Sequence, residues 1–398
     1  MKTYFNYQRG FFNDMVFTEI YDEDSEKVFV IRDTIDVRVP IKFYSQLKKR
    51  YSDEEIVSMH EPKLLRHHHT GRDLIYVTRE SGFPLMGHTA FGLIDRGTNL
   101  IQVRPISGCN LNCIFCSVDE GISRTRKTDF IVDTDYLVEE FSKVAAIKGN
   151  DVEAHIDGQG EPFLYPYMAE LLQKLRNVPQ VKYISAQSNG MMLDEEKIKS
   201  FEGNIDRINL SLSSMDERRA RILAGTNLYS VEHVKGMARM LAKSSIDVLI
   251  APVWVPGFND EDIPEIIEFA LEIGAGKRFP PLGIQNYVKY QFGKKVKTKP
   301  MKFEQFYEKL AEMGEKYGLN LKLSSKDFGT HRAPAMPRVF KKGEMLKLDI
   351  VAPGRVHGEM LAICKDHIVG VITDRPVGSR VTAEITRTTD GVYVAVTK

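Results

Sequence analysis

The sequence predicts an α/β protein built around a partial (βα)6-type barrel, with a β-rich extension before it and a small closed β-barrel after it. Three observations support this fold class. Short apolar runs alternate with amphipathic segments of helical length over 99–290, strand-like runs dominate the first hundred residues, and short alternating strands fill the C-terminal segment. We place the boundaries at 1–98, 99–330, a basic linker at 331–342, and 343–398.

The central region contains the strand–helix alternation that defines the barrel. The predicted strands are 99–106, 152–160, 181–190, 207–214, 247–257 and 282–288. The predicted helices are 134–149, 167–178, 193–203, 231–244, 262–274 and 303–318. This alternation predicts a parallel sheet covered by helices, and no G-x-G-x-x-G motif opens a helix as a dinucleotide-binding fold requires. Chemistry in such barrels lies at the carboxyl ends of the strands.

The extension before the barrel is predicted to be partly β. Its apolar alternation over 16–41 predicts strands, 43–51 and 52–60 are helix candidates, and 72–83 adds a further strand. No cofactor motif lies here, so we expect a packing extension that caps the barrel. The histidine-rich stretch 67–73 is expected to be an exposed loop rather than a metal site.

Composition indicates the class of protein and the compartment in which it is expected. The 398 residues are 42% hydrophobic and 27% charged, as in soluble globular proteins, and the length suggests two or three domains. No apolar run approaches the length that a bilayer requires, so we expect a cytoplasmic protein without a membrane partner. The net charge of +1 gives no global sign of a nucleic-acid partner, which must be argued from local patches.

The most informative motif is the cysteine triplet Cys109, Cys113 and Cys116, spaced C-x-x-x-C-x-x-C directly after the first barrel strand. Thiolates suit zinc or iron–sulfur clusters, and a [4Fe–4S] cube normally takes four cysteines. Three cysteines would leave one iron open to a ligand that is not protein. Structural zinc sites close at four ligands, and the remaining cysteine, Cys364, is distant in sequence. A disulfide framework is not expected in a long chain with four cysteines.

This triplet resembles the signature of the radical S-adenosylmethionine (radical SAM) superfamily. The resemblance implies that the three cysteines hold a [4Fe–4S] cluster whose open iron binds S-adenosylmethionine (SAM). It also implies that the reduced cluster donates an electron that cleaves SAM to a 5′-deoxyadenosyl radical. An electron donor such as ferredoxin or flavodoxin is then expected as a partner.

The end of the second barrel strand, Gly158-Gln159-Gly160-Glu161-Pro162, resembles the G-G-E-P motif of this family. By that resemblance Gly158 and Gly160 let backbone carbonyls meet the SAM amino group at close range. Glu161 is expected to hold the ammonium group or to support the turn. Gln159 replaces the first family glycine, so the turn here can differ.

The third and fourth strands end in further polar residues that resemble family motifs. Ser188, Asn189 and Gly190 are similar to T-N-G, and Ser211 lies in a segment similar to N-x-S-x-D. The resemblance implies that Ser188 and Asn189 contact SAM and that Ser211 binds its carboxylate or ribose. Ser213 replaces the family aspartate, so no role is assigned to it.

The resemblance implies that the adenine and ribose end of SAM is lined by Pro252 and Val253 on the fifth strand, Gln285 and Asn286 on the sixth, and Phe115. Gln285 lies on the last barrel strand, and Phe115 precedes the third cysteine. Phe115 fits the family's apolar position against adenine, and a simple packing role is equally compatible.

The C-terminal segment resembles a TRAM domain, an RNA-binding barrel found on many RNA-modifying enzymes. The similarity covers the runs at 354–372, 375–388 and 393–398. Lysines and aromatic residues after the last barrel strand, over 287–302, would suit phosphate and base contacts, although a solvated basic loop also explains them.

The leading hypothesis is therefore a radical SAM enzyme that modifies RNA, with tRNA the favoured class. The first alternative is a radical SAM enzyme acting on a peptide or small metabolite. The second, from another class, is a non-catalytic RNA-binding protein with a structural metal.

Overall fold

A computed structural model describes residues 16–59 and 65–398. The strands in chain order are β1 (Phe17–Glu23), β2 (Glu26–Ile31), β3 (Ile35–Pro40), β4 (Leu65–His67), β5 (Asp73–Val77), β6 (Gly92–Asp95), β7 (Leu100–Arg104), β8 (Thr128–Val132), β9 (Val152–Ile156), β10 (Val181–Ser188), β11 (Arg207–Leu210), β12 (Asp247–Ile250), β13 (Val253–Trp254), β14 (Gln285–Asn286), β15 (Met345–Pro353), β16 (Glu359–Cys364), β17 (His367–Ile372), β18 (Arg380–Arg387) and β19 (Tyr393–Thr397). The α-helices are α1 (Ile41–Leu47), α2 (Asp53–Met59), α3 (Thr134–Lys148), α4 (Met168–Arg176), α5 (Glu195–Phe201), α6 (Glu217–Ala224), α7 (Val231–Lys243), α8 (Asp262–Glu272) and α9 (Phe303–Tyr317).

The central sheet has the order β12-β11-β10-β9-β7-β6. Strands β7, β9, β10, β11 and β12 are parallel to one another. Strand β6 adds an antiparallel edge. Beyond β12, a parallel bridge joins Ile250 to Leu282, and β13 pairs with β14. The predicted (βα)6-type fold class is confirmed, with a short and irregular sixth strand.

The extension before the barrel forms a second sheet, β1-β2-β3-β4-β5-β8. Strand β8 lies between the cysteines and α3 in sequence, yet it pairs in parallel with β5 of the extension. The extension therefore shares a sheet with the chain segment that follows the cysteine motif.

The histidine-rich stretch is not simply an exposed loop, contrary to expectation. His67 is fully buried on β4, whereas His69 is exposed. Burial lowers the pKa of His67 to about 4, so its ring is neutral at physiological pH. His67 thus belongs to the protein interior.

The C-terminal segment folds into a closed five-stranded barrel of order β15-β16-β17-β19-β18, as predicted. Its interior is apolar, and Phe340, from the stretch predicted as a linker, packs into it. The barrel also bonds to the main body, because the amide of Ile368 donates to the Met86 carbonyl and that of Tyr393 to the Gly87 carbonyl (2.8 and 2.9 Å).

The stretch predicted as a basic linker lies against the main body. The amide of Ala333 donates to the Gly97 carbonyl, and that of Met336 to the Asp95 carboxylate (3.2 and 2.7 Å). Within the described ranges, no helix is long and apolar enough to cross a bilayer.

Candidate active site

One cavity of about 280 Å³ lies at the carboxyl ends of the parallel strands. Its wall includes all residues predicted from the sequence to hold a cluster or SAM except Pro252: Cys109, Cys113, Phe115, Cys116, Gly158, Gly160, Glu161, Ser188, Asn189, Ser211, Val253, Gln285 and Asn286. These residues come from the cysteine loop, residues 107–121, and from the ends of β9, β10, β11, β13 and β14. The fold thus brings together side chains more than 170 positions apart in sequence.

The cysteine sulfurs receive hydrogen bonds from the loop itself. The Leu111 amide donates to Cys109 Sγ (3.4 Å) and the Glu120 amide donates to Cys116 Sγ (3.3 Å). Such N–H donors stabilise thiolates and tune the reduction potential of iron–sulfur clusters. All three thiols are free, and their donor environment fits a cluster held by sulfur.

Burial raises the pKa of each of the three thiols, that of Cys113 to about 12. The thiols therefore carry their protons at neutral pH, and metal binding would release them. In the part of the chain that the structure describes, no three histidine, cysteine or acidic side chains form a site for a single metal ion. The sulfurs border a common cavity instead.

Two distant segments hold the cysteine loop in place. The amides of Asn112 and Ile114 donate to the carbonyls of Ala224 and Leu223, at the end of α6 (2.9 and 3.0 Å). On another side, the Lys294 amide donates to the Cys116 carbonyl (2.8 Å). Helix α6 was not predicted, although Asp216, whose side chain accepts from the Arg219 amide, marks its start.

Lys294 does not match the alternative interpretation of the 287–302 stretch as a solvated basic loop. It is half-buried, and its Nζ donates to the Asn112 side chain and to the Glu120 carbonyl (2.6 Å to the latter). This lysine therefore closes the cysteine loop, whereas Lys289, Lys295 and Lys297 are exposed.

The glycine at position 160 fits the loop rather than leaving room for a ligand. The Gly108 amide donates to the Gln159 carbonyl, and the Glu161 amide donates to the Gly108 carbonyl (3.0 and 2.8 Å). A Cβ on Gly160, whose φ is 152°, would overlap the Gly108 carbonyl. The turn after β9 is thus packed directly against the start of the cysteine loop.

Glu161 supports two strand ends. Its Oε1 accepts from the Phe163 amide and the Ser188 hydroxyl (3.1 and 2.9 Å), and its Oε2 accepts from the Asn189 amide (2.7 Å). Burial raises the pKa of Glu161 to about 7, against the effect of these donors. Of the two roles expected for Glu161, support of the turn is the one its contacts match.

The remaining predicted residues differ in whether their polar groups are already hydrogen-bonded within the protein. Ser188 is buried and bonded to Glu161, whereas Asn189 is half-buried and donates to the Asn110 side chain (2.8 Å). Ser211 accepts from Gln187, Gln285 is exposed, and Phe115 packs in a small apolar cluster beside the cavity.

A row of polar side chains crosses the inner face of the sheet below the cavity. The register aligns Gln102, His155, Ser185, Arg207 and Asp247 across five strands. Their neighbours in sequence, such as Ile101 and Ala154, pack in the core with the helices. Parallel strands covered on both faces are usually apolar throughout, whereas this inner face carries a row of polar side chains, here called the polar lumen.

Sequence reasoning missed several residues of the cavity wall. Glu120 lines it four positions after the last cysteine, and Tyr229 lines it from the turn before α7. The Glu120-Gly121 pair at the end of the cysteine motif was a usable signal for Glu120. No sequence signal pointed to Tyr229, because only the packing of α6 brings this residue close to the cysteines.

Comparison with known proteins gives a consistent result. A family model for the Radical SAM superfamily matches residues 103–270. An uncharacterised protein of Methanocaldococcus jannaschii is 41% identical over 352 residues, which are 82% of this chain and 81% of that protein. A GTP 3′,8-cyclase of Chlorobaculum tepidum is 28% identical over 207 residues, covering 52% of this chain and 59% of the cyclase.

Solved structures with a similar fold include Streptococcus suis SuiB bound to S-adenosylmethionine. The match has a TM-score of 0.43 and 16% identity, and it covers 77% of this chain and 71% of SuiB.

Replacing Cys109, Cys113 or Cys116 with serine should abolish retention of an iron–sulfur cluster, because each removes one soft ligand from a set of three. The measurement is iron and sulfide per chain, with visible absorbance, after anaerobic reconstitution. Cys364→Ser is the matched control and should retain the wild-type content, since Cys364 lies on β16. Wild-type iron content in any of the three variants would contradict the assignment.

Gly160→Ala should destabilise the protein before any cofactor is added, by about 1–3 kcal/mol, because the new methyl group overlaps the cysteine loop. Urea unfolding of the apo-protein measures this change. Gly149→Ala is the control: its φ is also positive, at 85°, but an added Cβ there meets nothing within 4 Å. Equal losses in the two variants would show that backbone conformation, not loop contact, sets the cost.

Proposed function

Because the chain belongs to the radical SAM superfamily, whose cofactors are a [4Fe–4S] cluster and SAM, we propose that it is a radical SAM enzyme that modifies RNA, with tRNA as the favoured substrate. The observation that carries this proposal is that one cavity joins the three cysteines to the polar strand ends. The cavity opens beside exposed aromatic and basic side chains, which suit a nucleic acid.

The residues around the cavity divide into three groups by chemistry. Cys109, Cys113 and Cys116 would hold the cluster. Asn189 and Ser211 would offer polar groups to SAM, with Gln285 and Phe115 at its adenosine end. When bound, and reduced by an electron donor such as ferredoxin or flavodoxin, the cluster would supply the electron that cleaves SAM to a 5′-deoxyadenosyl radical.

The protein's own contribution is to orient the bound groups and to exclude water. Glu161 fixes the ends of β9 and β10 through its three hydrogen bonds. Buried apolar side chains, among them Leu111, Leu223 and Ala224, line the wall near the cysteines. A reactive radical requires such a dry, ordered site, because side reactions with solvent would otherwise compete.

The polar lumen would receive the group to be modified. His155 and Ser185 are hydrogen-bonded to each other (2.7 Å), and Arg207 pairs with Glu153 (2.8 Å). Burial lowers the pKa of His155, so its ring is a neutral donor and acceptor. A nucleobase edge, which carries both donors and acceptors, suits this surface.

A rim of exposed side chains supports contact with RNA. Tyr290 and Phe292 are 52% and 68% exposed, and Lys289 and Lys295 flank them in sequence. Tyr290 also lines the cavity. Aromatic rings can stack on unpaired bases while lysines contact phosphates, and this rim adjoins the cysteine loop through Lys294.

The C-terminal barrel would add a second RNA contact. Its TRAM-like sequence motifs and the closed five-stranded topology support this role. The outer face carries exposed basic residues such as Lys347 and Arg387. We therefore assign the barrel to RNA binding as part of the proposal.

A free nucleotide is the second candidate substrate. The polar lumen favours it, since a small polar molecule could bind there without using the rim. The relatedness to proteins named GTP 3′,8-cyclase also points to nucleotide chemistry, although the chain spans only about three-fifths of such a relative.

The reconstituted and reduced protein should convert SAM to 5′-deoxyadenosine and methionine, because the chain supplies the three cluster ligands of the family. Chromatography of the products measures this reaction, and Cys113→Ser should yield neither product. Absence of cleavage by cluster-loaded protein would overturn the enzymatic proposal and leave the non-catalytic RNA-binding hypothesis.

Tyr290→Ala and Phe292→Ala should each weaken binding of unmodified tRNA by roughly fivefold or more, since stacking contributes about 1–3 kcal/mol per base. Lys289→Glu should reduce the salt dependence of binding, because one phosphate contact is lost. Equilibrium binding over a salt series measures both effects.

Lys243→Glu is the matched control for charge. Lys243 ends α7, which leads into the amino end of β12, so it lies at the opposite end of the sheet from the rim. Equal effects of Lys243→Glu and Lys289→Glu would indicate non-specific attraction. If wild-type protein binds no tRNA but retains a free nucleotide in equilibrium dialysis, a free nucleotide replaces RNA as the proposed substrate.

A further inference from the structure

A buried group of charged side chains lies beside the cysteine loop, where three parts of the chain meet. This ionic junction consists of Arg72 from the extension, Glu120, Arg126 and Asp129 from the segment after the cysteines, and Arg355 from the C-terminal barrel. Arg355 is only 1% exposed, and both carboxylates are buried. None of these residues except Glu120 borders the cavity.

Arg355 makes the densest set of contacts in the junction. One terminal nitrogen, Nη1, donates to the Asp129 carboxylate and to the Thr128 carbonyl (2.6 Å to the latter). The other, Nη2, donates to the Glu120 carboxylate and to the Gln159 carbonyl (3.4 Å to the latter). A planar guanidinium is suited to hold two acceptors in fixed directions at once, which an ammonium group cannot do.

The turn that carries Arg355 is itself fixed. The Glu359 carboxylate accepts from the Arg355 amide (2.9 Å) and is bonded to His88 (3.2 Å). Across the turn, the Lys127 amide donates to the Arg355 carbonyl, and the His357 amide donates to the Thr125 carbonyl (both 2.9 Å). The barrel therefore presents this arginine to the cysteine loop in one orientation.

Glu120 connects the junction to the third cysteine. Its amide donates to Cys116 Sγ (3.3 Å), while its carboxylate is held by Arg355 and by Arg72 (3.2 Å). The position of this donor relative to the sulfur thus depends on what holds the Glu120 side chain. Loss of Arg355 would leave two buried carboxylates sharing Arg72 and Arg126 at 3.2–3.6 Å.

We propose that Arg355 is a positioning residue for the cysteine loop, so that the C-terminal barrel completes the cluster site from a distance of more than 200 residues in sequence. Arg355 makes these contacts in the apo-protein, so this role is the same whether the substrate is RNA or a free nucleotide. It also gives the barrel a second role besides its proposed contact with RNA.

The test compares full-length Arg355→Met and Arg355→Lys with wild type. Hydrogen exchange of the apo-protein should be about tenfold faster or more over 117–128 in Arg355→Met, because a buried ion pair is broken from one side. After reconstitution, the electron paramagnetic resonance spectrum of the reduced cluster should change, because the donor to Cys116 shifts. Arg355→Lys keeps the charge and should restore the exchange rates only in part.

Two control variants separate positioning from general stability. Arg380→Met removes an exposed arginine of the same barrel, paired with Asp349, and should change neither measurement. Lys148→Met breaks a buried pair with Asp95 at the end of α3, outside the cavity, and should lower stability without changing the cluster spectrum.

A fourth variant keeps the test decisive if Arg355→Met folds poorly. Glu120→Gln with Arg355→Met removes one carboxylate together with the arginine and should recover stability, but not the wild-type spectrum. The proposal is overturned if Arg355→Met exchanges like wild type over 117–128, or if its reduced cluster gives the wild-type spectrum.

Discussion

The cysteine loop depends on hydrogen bonds from other parts of the chain, since it has almost no regular secondary structure of its own. Its amides and carbonyls bond to the end of α6, to the turn after β9 and to the segment around Lys294. Each of these contacts joins backbone groups whose burial without a partner would be costly. The cavity can form only when all of these segments are folded, so the site and the fold are one cooperative unit.

Much of this arrangement was accessible from the sequence because it follows from periodicity and from strand ends. The alternation of apolar runs identified the core strands β7, β9, β10, β11 and β12, and parallel pairing then placed their carboxyl ends at one edge. Most candidate site residues were polar, glycine or aromatic residues at such an end or within the cysteine motif. Local pattern and topology together were sufficient to bring them to one cavity.

The parts that could not be predicted depend on long-range packing. Strand β8 reads as part of the loop after the cysteines, and only its pairing with β5 makes it a strand of the other sheet. Arg355 reads as an ordinary basic residue in a turn, because nothing near it in sequence carries the acidic partners that bury it. His67 likewise lies in a polar run, and tertiary packing overrides that local character.

The polar lumen was also not predicted from the sequence. Residues such as His155, Ser185 and Arg207 interrupt apolar strands, and each interruption alone could be an exposed position. The register turns them into a continuous surface that leads away from the cavity. Buried polar groups are costly unless they are hydrogen-bonded, and here His155 bonds to Ser185 and Arg207 bonds to Glu153.

Because Arg355 links the C-terminal barrel to the cysteine loop, deleting the barrel cannot separate a role in RNA binding from a role in holding that loop. Deleting the C-terminal barrel would remove the proposed RNA contact, but it would also leave Glu120 and Asp129 without Arg355. Loss of activity after such a deletion would therefore not distinguish substrate binding from damage to the cysteine loop. Substitutions of exposed side chains such as Phe292 on the rim and Lys347 on the outer barrel face avoid this ambiguity, because the ion pairs of the junction do not involve them. Through Arg355 the barrel is thus part of the framework that holds the segment after the cysteines.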